Sequence, residues 1–262
     1  MTAAQDRPWP RRAWVATAAL TAVLLVPPGA LYGWSWLAAS SRTDDVTLHH
    51  RVDALRLDAP RAQLVLRPGP DDQVHLRATR QWSLREPAVT SGWDGDTLAV
   101  TVGQPGPDLD SLASRVTLEI ELPARASVQA STASGSIDLA GLAGALRLST
   151  GSGSITVADS GGALEASTDS GRLRATELGA GAVTVRTGSG LLALAFSTPP
   201  SRLSASVGDG RLDVALPPGS RYQLADSASG SQALRVPAGL ADPGAAGLIS
   251  VQIGDGSAAL GY

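Results

Sequence analysis

The sequence contains no cysteine, no asparagine and no lysine. Without cysteine the chain can form neither a disulfide nor a thiolate metal site, and it cannot carry a lipoprotein anchor. Without asparagine it has no N-glycosylation acceptor. All 21 basic side chains are arginine, a bias that GC-rich codon usage produces. Aromatics are scarce: six Trp, three Tyr and one Phe, with four of the six Trp in the first 36 positions. The core of the distal part must therefore be built from Leu, Val, Ile and Ala. Positive charge is short as well. From Thr43 onward 17 Arg stand against 23 Asp and Glu, a net of −6. That disfavours a nucleic-acid or anionic-lipid surface, which needs clustered positive charge. Of the histidines only His75 lies inside the expected folded part, which leaves no nucleophile–base constellation.

What is present is a repeat. Between Ser136 and Ala175 glycine recurs every nine residues, at 135, 144, 153, 162 and 171. Each unit opens on two apolar residues two apart: Ile137/Leu139, Leu146/Leu148, Ile155/Val157, Leu164/Ala166 and Leu173/Ala175. A spacing of two places both side chains on one face of a strand. The seven-residue gap to the next pair requires a corner, which the Gly/Ser clusters supply. Two units make an 18-residue coil, the signature of a stacked β-structure. The expected fold class is all-β: a parallel β-solenoid, β-roll-like, with coils of 18–20 residues.

The same spacing continues on both sides. Val128/Ala130, Val183/Val185, Leu192/Leu194, Leu203/Ala205, Leu212/Val214, Tyr222/Leu224, Leu234/Val236 and Ile249/Val251 extend it to the C-terminus, with Asp242–Ala246 interrupting the last coil. Upstream, Leu55/Leu57, Leu64/Leu66 and Val74/Leu76 place the first coils near Asp53. Residues 80–114 break the rhythm. Within them Trp93-Asp94-Gly95-Asp96 between two extended runs signals a tight hairpin, of the type I′ kind that needs positive φ at both central residues. Val116, Leu118, Ile120 and Leu122 then alternate as one long strand. The interruption reads as a cap over the open end of the solenoid.

The N-terminal part has another character. Ala13–Ala39 is 27 residues without a charge, and a membrane's hydrocarbon core needs about 20 helical residues. Arg7, Arg11 and Arg12 precede it, so the positive-inside rule places the N-terminus in the cytoplasm and the remainder outside. Pro27 and Pro28 would kink such a helix. The competing reading is a cleaved signal peptide, with Ala13–Val26 as its apolar region and Ala38-Ala39-Ser40 as the cleavage site. Both readings export the distal domain. The expected organisation is a cytoplasmic tail over 1–12, a transmembrane helix over 13–39, a polar linker over 40–52, N-terminal coils and a hairpin cap over 53–124, and regular coils over 125–262.

Candidate chemistry is thin. Coils of nine-residue halves resemble calcium β-rolls, but those need an Asp carboxylate in every turn. Here Arg172-Leu173-Arg174 follows Gly171, and only isolated turns such as Asp209 and Asp255 carry the acid. Asp138 and Asp213 fall in one outward column about four coils, roughly 19 Å, apart, too far for paired carboxylate catalysis. His49-His50 with Asp44-Asp45 reads as a solvated linker rather than a metal site. Trp82 and Trp93 read as core residues of the cap rather than a ligand platform. Arg147 and Glu165, 18 apart, are expected as vertical neighbours. No residue is assigned to catalysis, to a cofactor or to a metal.

Two features together resemble a bacterial family labelled "putative adhesin" or adhesin domain, of undefined function. One is the Ser/Gly pattern, as in Ser149-Thr150-Gly151-Ser152-Gly153-Ser154-Ile155. The other is the block Gln81-Trp82-Ser83-Leu84, Pro87 and Trp93-Asp94-Gly95-Asp96-Thr97-Leu98. The resemblance covers about residues 46–262. It implies an N-terminal membrane segment with a β-solenoid-like ectodomain, and no catalytic or binding residues. The expected function is a membrane-anchored extracellular interaction or structural module without catalysis. Its partner would be a surface ligand, glycan or protein, or a membrane protein. The alternatives are an ectodomain subunit of an envelope-stress or membrane regulatory system, and a glycan-active β-helix enzyme.

Overall fold

The computed structural model describes residues 40–82, 86–103, 114–179, 181–228 and 234–262; the expected tail and transmembrane segment lie outside them. Every regular element among these residues is a strand, so no helix among them is long and apolar enough to cross a membrane. The strands in chain order begin with β1 (Ser40–Leu48), β2 (Ala54–Asp58), β3 (Ala62–Pro68), β4 (Val74–Trp82), β5 (Ala88–Asp94), β6 (Thr97–Gly103) and β7 (Arg115–Leu122). The regular coils follow as β8 (Ser127–Thr132), β9 (Ser136–Ala140), β10 (Leu146–Thr150), β11 (Ser154–Ala158), β12 (Leu164–Leu178) and β13 (Ala182–Phe196). The C-terminal set is β14 (Arg202–Val207), β15 (Arg211–Ala215), β16 (Tyr222–Ala228), β17 (Leu234–Arg235), β18 (Gly247–Ile253) and β19 (Ser257–Gly261).

The two-residue spacing predicts inward pairs, and the structure buries them. Ile137, Leu139, Leu146, Leu148, Ile155, Val157, Leu164, Ala166, Leu173 and Ala175 are all at most 2% exposed. Their strands stack in parallel with residues 18 apart in register: β8 on β10, β10 on β12, β9 on β11 and β11 on β12. β12 and β13 bend through the corner and serve both ladders as single strands. Later coils shift to spacings of 19 and 20 without leaving register: Leu164 faces Val183, which faces Leu203. Two rows of apolar side chains thus face each other across a thin core that runs the length of the stack. No coil can bury its face alone, so stability is shared between neighbours.

The order of stacking differs from the order of the sequence at both ends. β2 lies between β6 and β8, and β3 between β7 and β9. The chain makes its first coil, goes outward, and returns to the other face of that coil. At the far end β18 lies between β14 and β16, and β19 between β15 and β17. β18 and β19 therefore form an internal coil, and β16 and β17 are the outermost strands at that end among the described residues.

Three further expectations are corrected. Val74/Leu76 does not begin a second parallel coil. The turn at Pro68-Gly69-Pro70 reverses the chain, and β4 runs antiparallel to β7. The linker expected over 40–52 contains β1, antiparallel to β4 over nine register pairs. The hairpin is present as β5/β6, but Asp94 pairs with Thr97, which makes Gly95 and Asp96 the central residues. Gly95 has φ +59° while Asp96 has no positive φ, the glycine-first arrangement rather than type I′. β1 and β5 are the outermost strands at this end among the described residues, so the interrupted region does cover the first coils.

Candidate interaction surface

Each coil has two corners. The first carries Thr-x-Ser-Gly, as in Thr132-Ala133-Ser134-Gly135, Thr150-Gly151-Ser152-Gly153, Thr168-Asp169-Ser170-Gly171 and Thr187-Gly188-Ser189-Gly190. The threonine side chain points inward and is buried in all four. The Thr132 and Thr150 hydroxyls accept the amides of Gly135 and Gly153 at 2.9 and 3.1 Å, closing the turn. The glycines stack backbone to backbone. A Cβ on Gly153 would stand 1.7 Å from the Gly135 carbonyl oxygen, and one on Gly171 2.1 Å from that of Gly153. At the second corner Gly141, Asp159 and Glu177, each 18 apart, take left-handed backbone with φ of 73°, 49° and 54°.

The serines of the first corner form one column. They border a shallow trough of about 620 Å³, lined by Gln63, Ser136, Ser154, Arg115, Arg172 and Leu191 among others. The column changes character along its length. Arg61 stands where later coils have Ser134, Ser152, Ser170 and Ser189, and the last equivalent positions among the described residues are Asp209 and Asp255. Those two aspartates occupy matching corners of adjacent coils, since Val207 faces Ile253 and Arg211 faces Ser257. No group of three or more His, Asp or Glu side chains gathers among the described residues.

The structure places Arg147 beside Glu165, with Nε 3.2 Å from Oε2, and Arg186 reaches the same carboxylate at 3.7 Å. All three are exposed, so each contact contributes little. Asp138 and Asp213 do share a column, with Thr156, Arg174 and Ala193 between them. Asp138 is held by Arg67 at 3.1 Å, and Asp213 by Arg211 at 3.0 Å. They are surface ion-pair partners of different coils, not a carboxylate pair.

The residues near the start separate rather than gather. Asp45 binds Arg77 at 2.6 Å, and that hydrogen bond with its charge raises the Arg77 pKa above its ordinary value. Asp44 binds Arg42 at 2.9 Å and also Arg80. His75 meets Asp71 at 3.4 Å and the Thr47 hydroxyl at 3.2 Å. His50 packs edge-on against Trp93 with ring centroids 4.6 Å apart, its Nε2 3.6 Å from Asp96.

The N-terminal end of the core is closed by polar groups. Arg80 faces inward from β4, its side chain 12% exposed, and bridges Asp44 of β1 to Glu86 at 2.8 Å. Trp82 is half-buried, but Trp93 is 40% exposed. The expectation that Trp93 is a core residue is therefore corrected. Its side chain faces the core side opposite Leu98, yet β5 is an edge strand and among the described residues no further coil covers it. Exposure at an edge leaves no signal in hydropathy, which is why the sequence could not reveal it. The threonines are missed by a sequence reading that rests on the Ser-Gly pair of each corner; a Thr three before the glycine is the cue to the capping seen at Thr132 and Thr150.

Several solved structures resemble the chain. A "putative cell adhesion protein" from Clostridium sporogenes shares 12% identity with a TM-score of 0.39, covering 85% of this chain and 99% of its own. A "putative adhesin" from Bacteroides fragilis shares 10% identity with a TM-score of 0.46, covering 85% and 96%. A "putative lipid binding protein" from Parabacteroides distasonis shares 10% identity with a TM-score of 0.45, covering 84% and 96%. Likeness at this level fixes neither ligand nor activity. No curated protein matches the sequence. The Toastrack DUF4097 family model, however, matches residues 52–245, from just before β2 to just before β18. With that span covering most of the coil stack at both ends, the chain belongs to the Toastrack DUF4097 family.

Proposed function

We propose that the chain is an exported surface module, anchored by residues 13–39, that binds a cell-surface glycan or protein through its outward rows and performs no catalysis. The observation that carries this reading is the trough along the serine corner. It runs over successive coils held in register by backbone hydrogen bonds, so its side chains repeat at about 4.8 Å. A rigid periodic surface suits an extended or repetitive ligand better than a small molecule, which prefers a concave apolar pocket.

The test is binding by the full chain in lipid nanodiscs to a panel of cell-wall glycans and surface proteins. Retention of one ligand class, weakened by Ser136→Arg and Ser154→Arg within the trough, supports the reading. Failure to bind across the panel, with no adhesion defect in a deletion strain, opposes it. Release of reducing ends from a glycan would instead support an enzyme. In the regulatory alternative any signal would pass to a membrane partner. Stoichiometric co-purification of such a partner from detergent would favour that reading.

A further inference from the structure

We infer that the N-terminal end of the coil stack is a membrane-facing surface, with Trp93 and Val46 seated in the lipid interface. This rests on the anchored reading above and goes beyond it, because an anchored domain can also stand clear of the bilayer on a tether.

Register identifies the surface. In an antiparallel pair, directly opposed side chains share a face of the sheet. Val46 opposes Leu76 and Leu48 opposes Val74, while Trp93 opposes Leu98. Leu76, Val74 and Leu98 are buried, so Val46, Leu48 and Trp93 all turn toward the core side. β1 and β5 are the last strands of their ladders, however, and among the described residues no strand stacks beyond them. Val46 is consequently 43% exposed and Trp93 40%, two of the four large apolar side chains exposed among the described residues. They belong to the two sheets that flank the end of the core.

Connectivity supplies the occupant. β1 begins at Ser40, the residue after the uncharged stretch Ala13–Ala39. The strand is pinned to β4 from Ser40 to Leu48, so no slack remains between the apolar stretch and the folded domain. One residue spans at most about 3.6 Å. A helix through the bilayer would therefore deliver β1 onto the interface, and β1 is the outermost strand of that end. Tryptophan favours this depth because its ring is apolar and its indole N–H is wet.

The seat would be interfacial rather than electrostatic. The domain carries a net of −6 from Thr43 onward; beside Val46 the acids are occupied locally, Asp44 by Arg42 and Arg80 and Asp45 by Arg77, while Asp94 and Asp96 flank the turn at Trp93. A zwitterionic bilayer is the matching partner. The Trp93 ring is held by His50, and the turn below it is tied to the first coil by Asp53 N donating to Asp96 O at 3.0 Å. The ring is thus positioned before it meets lipid.

The absence of cysteine makes the test direct. Val46→Cys, Ser91→Cys and Arg147→Cys, all at exposed positions, would each carry a fluorescent label in the full chain, reconstituted into phosphatidylcholine nanodiscs. Lipids with a nitroxide on the headgroup serve as quencher. Labels at 46 and 91 should be quenched severalfold more than the label at 147, which lies on a regular coil. A protein held in the bilayer whose labels at 46 and 91 are quenched no more than that at 147 overturns this inference and leaves the anchored reading intact. A protein that does not enter the bilayer overturns both. Transfer between labels on different copies, in place of quenching by lipid, would assign the end to a second copy and overturn the inference.

Discussion

Placing one methyl group at the first corner tests how the coils are held together. In Gly153→Ala the new Cβ would lie 1.7 Å from the Gly135 carbonyl oxygen, 2.9 Å from its carbon and 2.7 Å from Thr150 Oγ1. Two of these atoms are backbone, so relief requires the coils to part locally. The bonds at risk are Ser152 N to Ala133 O at 2.9 Å, Arg172 N to Gly153 O at 3.3 Å and Gly153 N to Thr150 Oγ1 at 3.1 Å. At about 1 kcal/mol each, their loss amounts to about 3 kcal/mol. For a domain of this size that corresponds to a fall of roughly 6–12 °C in the unfolding midpoint. The control is Gly161→Ala at the other corner. There a Cβ meets nothing closer than the Ala143 methyl at 3.9 Å, and φ is not positive. That change should be neutral or raise stability by up to about 1 kcal/mol, through reduced freedom of the unfolded chain. Calorimetry and urea unfolding of both variants decide the matter. Equal midpoints would refute the idea that backbone contact at the Ser-Gly corner sets the stacking.

Three further predictions concern buried polar groups. The Thr187 hydroxyl is buried without a hydrogen-bond partner, and its column continues as Val207. Thr187→Val should therefore stabilise by about 1 kcal/mol, whereas Thr150→Val, which removes the acceptor for Gly153 N, should cost about as much in urea unfolding. Burial raises the Tyr222 pKa above its ordinary value of 10.0. Below pH 10 the phenol is neutral in both states and that stability is intact; it is lost as pH rises through the folded-state pKa, because the unfolded chain ionises first. Tyr222→Phe should flatten the alkaline arm of the stability profile, and an unchanged arm would count against the burial argument. Arg80→Leu should release β1 by about 1–2 kcal/mol, after allowance for the partial exposure of its partners. Faster amide exchange confined to Ser40–Leu48 would register it, and unchanged exchange there would dismiss the polar plug as a fastening.

The inward pairs were legible because each depends on a local spacing. Leu146 and Leu148 must share a face whatever else the chain does, and both are buried. Stacking order is a different kind of property. The pair Ile249/Val251 marks β18 as a coil strand, but nothing within it selects β14 on one side and β16 on the other. That choice is made between distant segments, and a repeat pattern makes several partners look equivalent. Direction was lost in the same way at Val74/Leu76, where an apolar pair two apart serves an antiparallel strand as well as a parallel one. For the candidate surface, the Ser and Arg rows could be read from the period. The exposure of Trp93 could not, since it follows from β5 having no outer neighbour among the described residues.

The crossed order at the two ends has a consequence for how such a molecule can vary. A simple stack could gain or lose a coil at either end and remain a stack. Here β2 and β3 are complete only when segments as far along as Ser127–Ala140 have arrived on their other side. β16 and β17 are tied to the body through β18 and β19. Removing the final residues would withdraw an inner layer rather than trim an outer one. Additional coils can be accommodated only in the middle, where β8 to β15 follow one another in register. The length of the stack is thus set from within, and both ends are fastened.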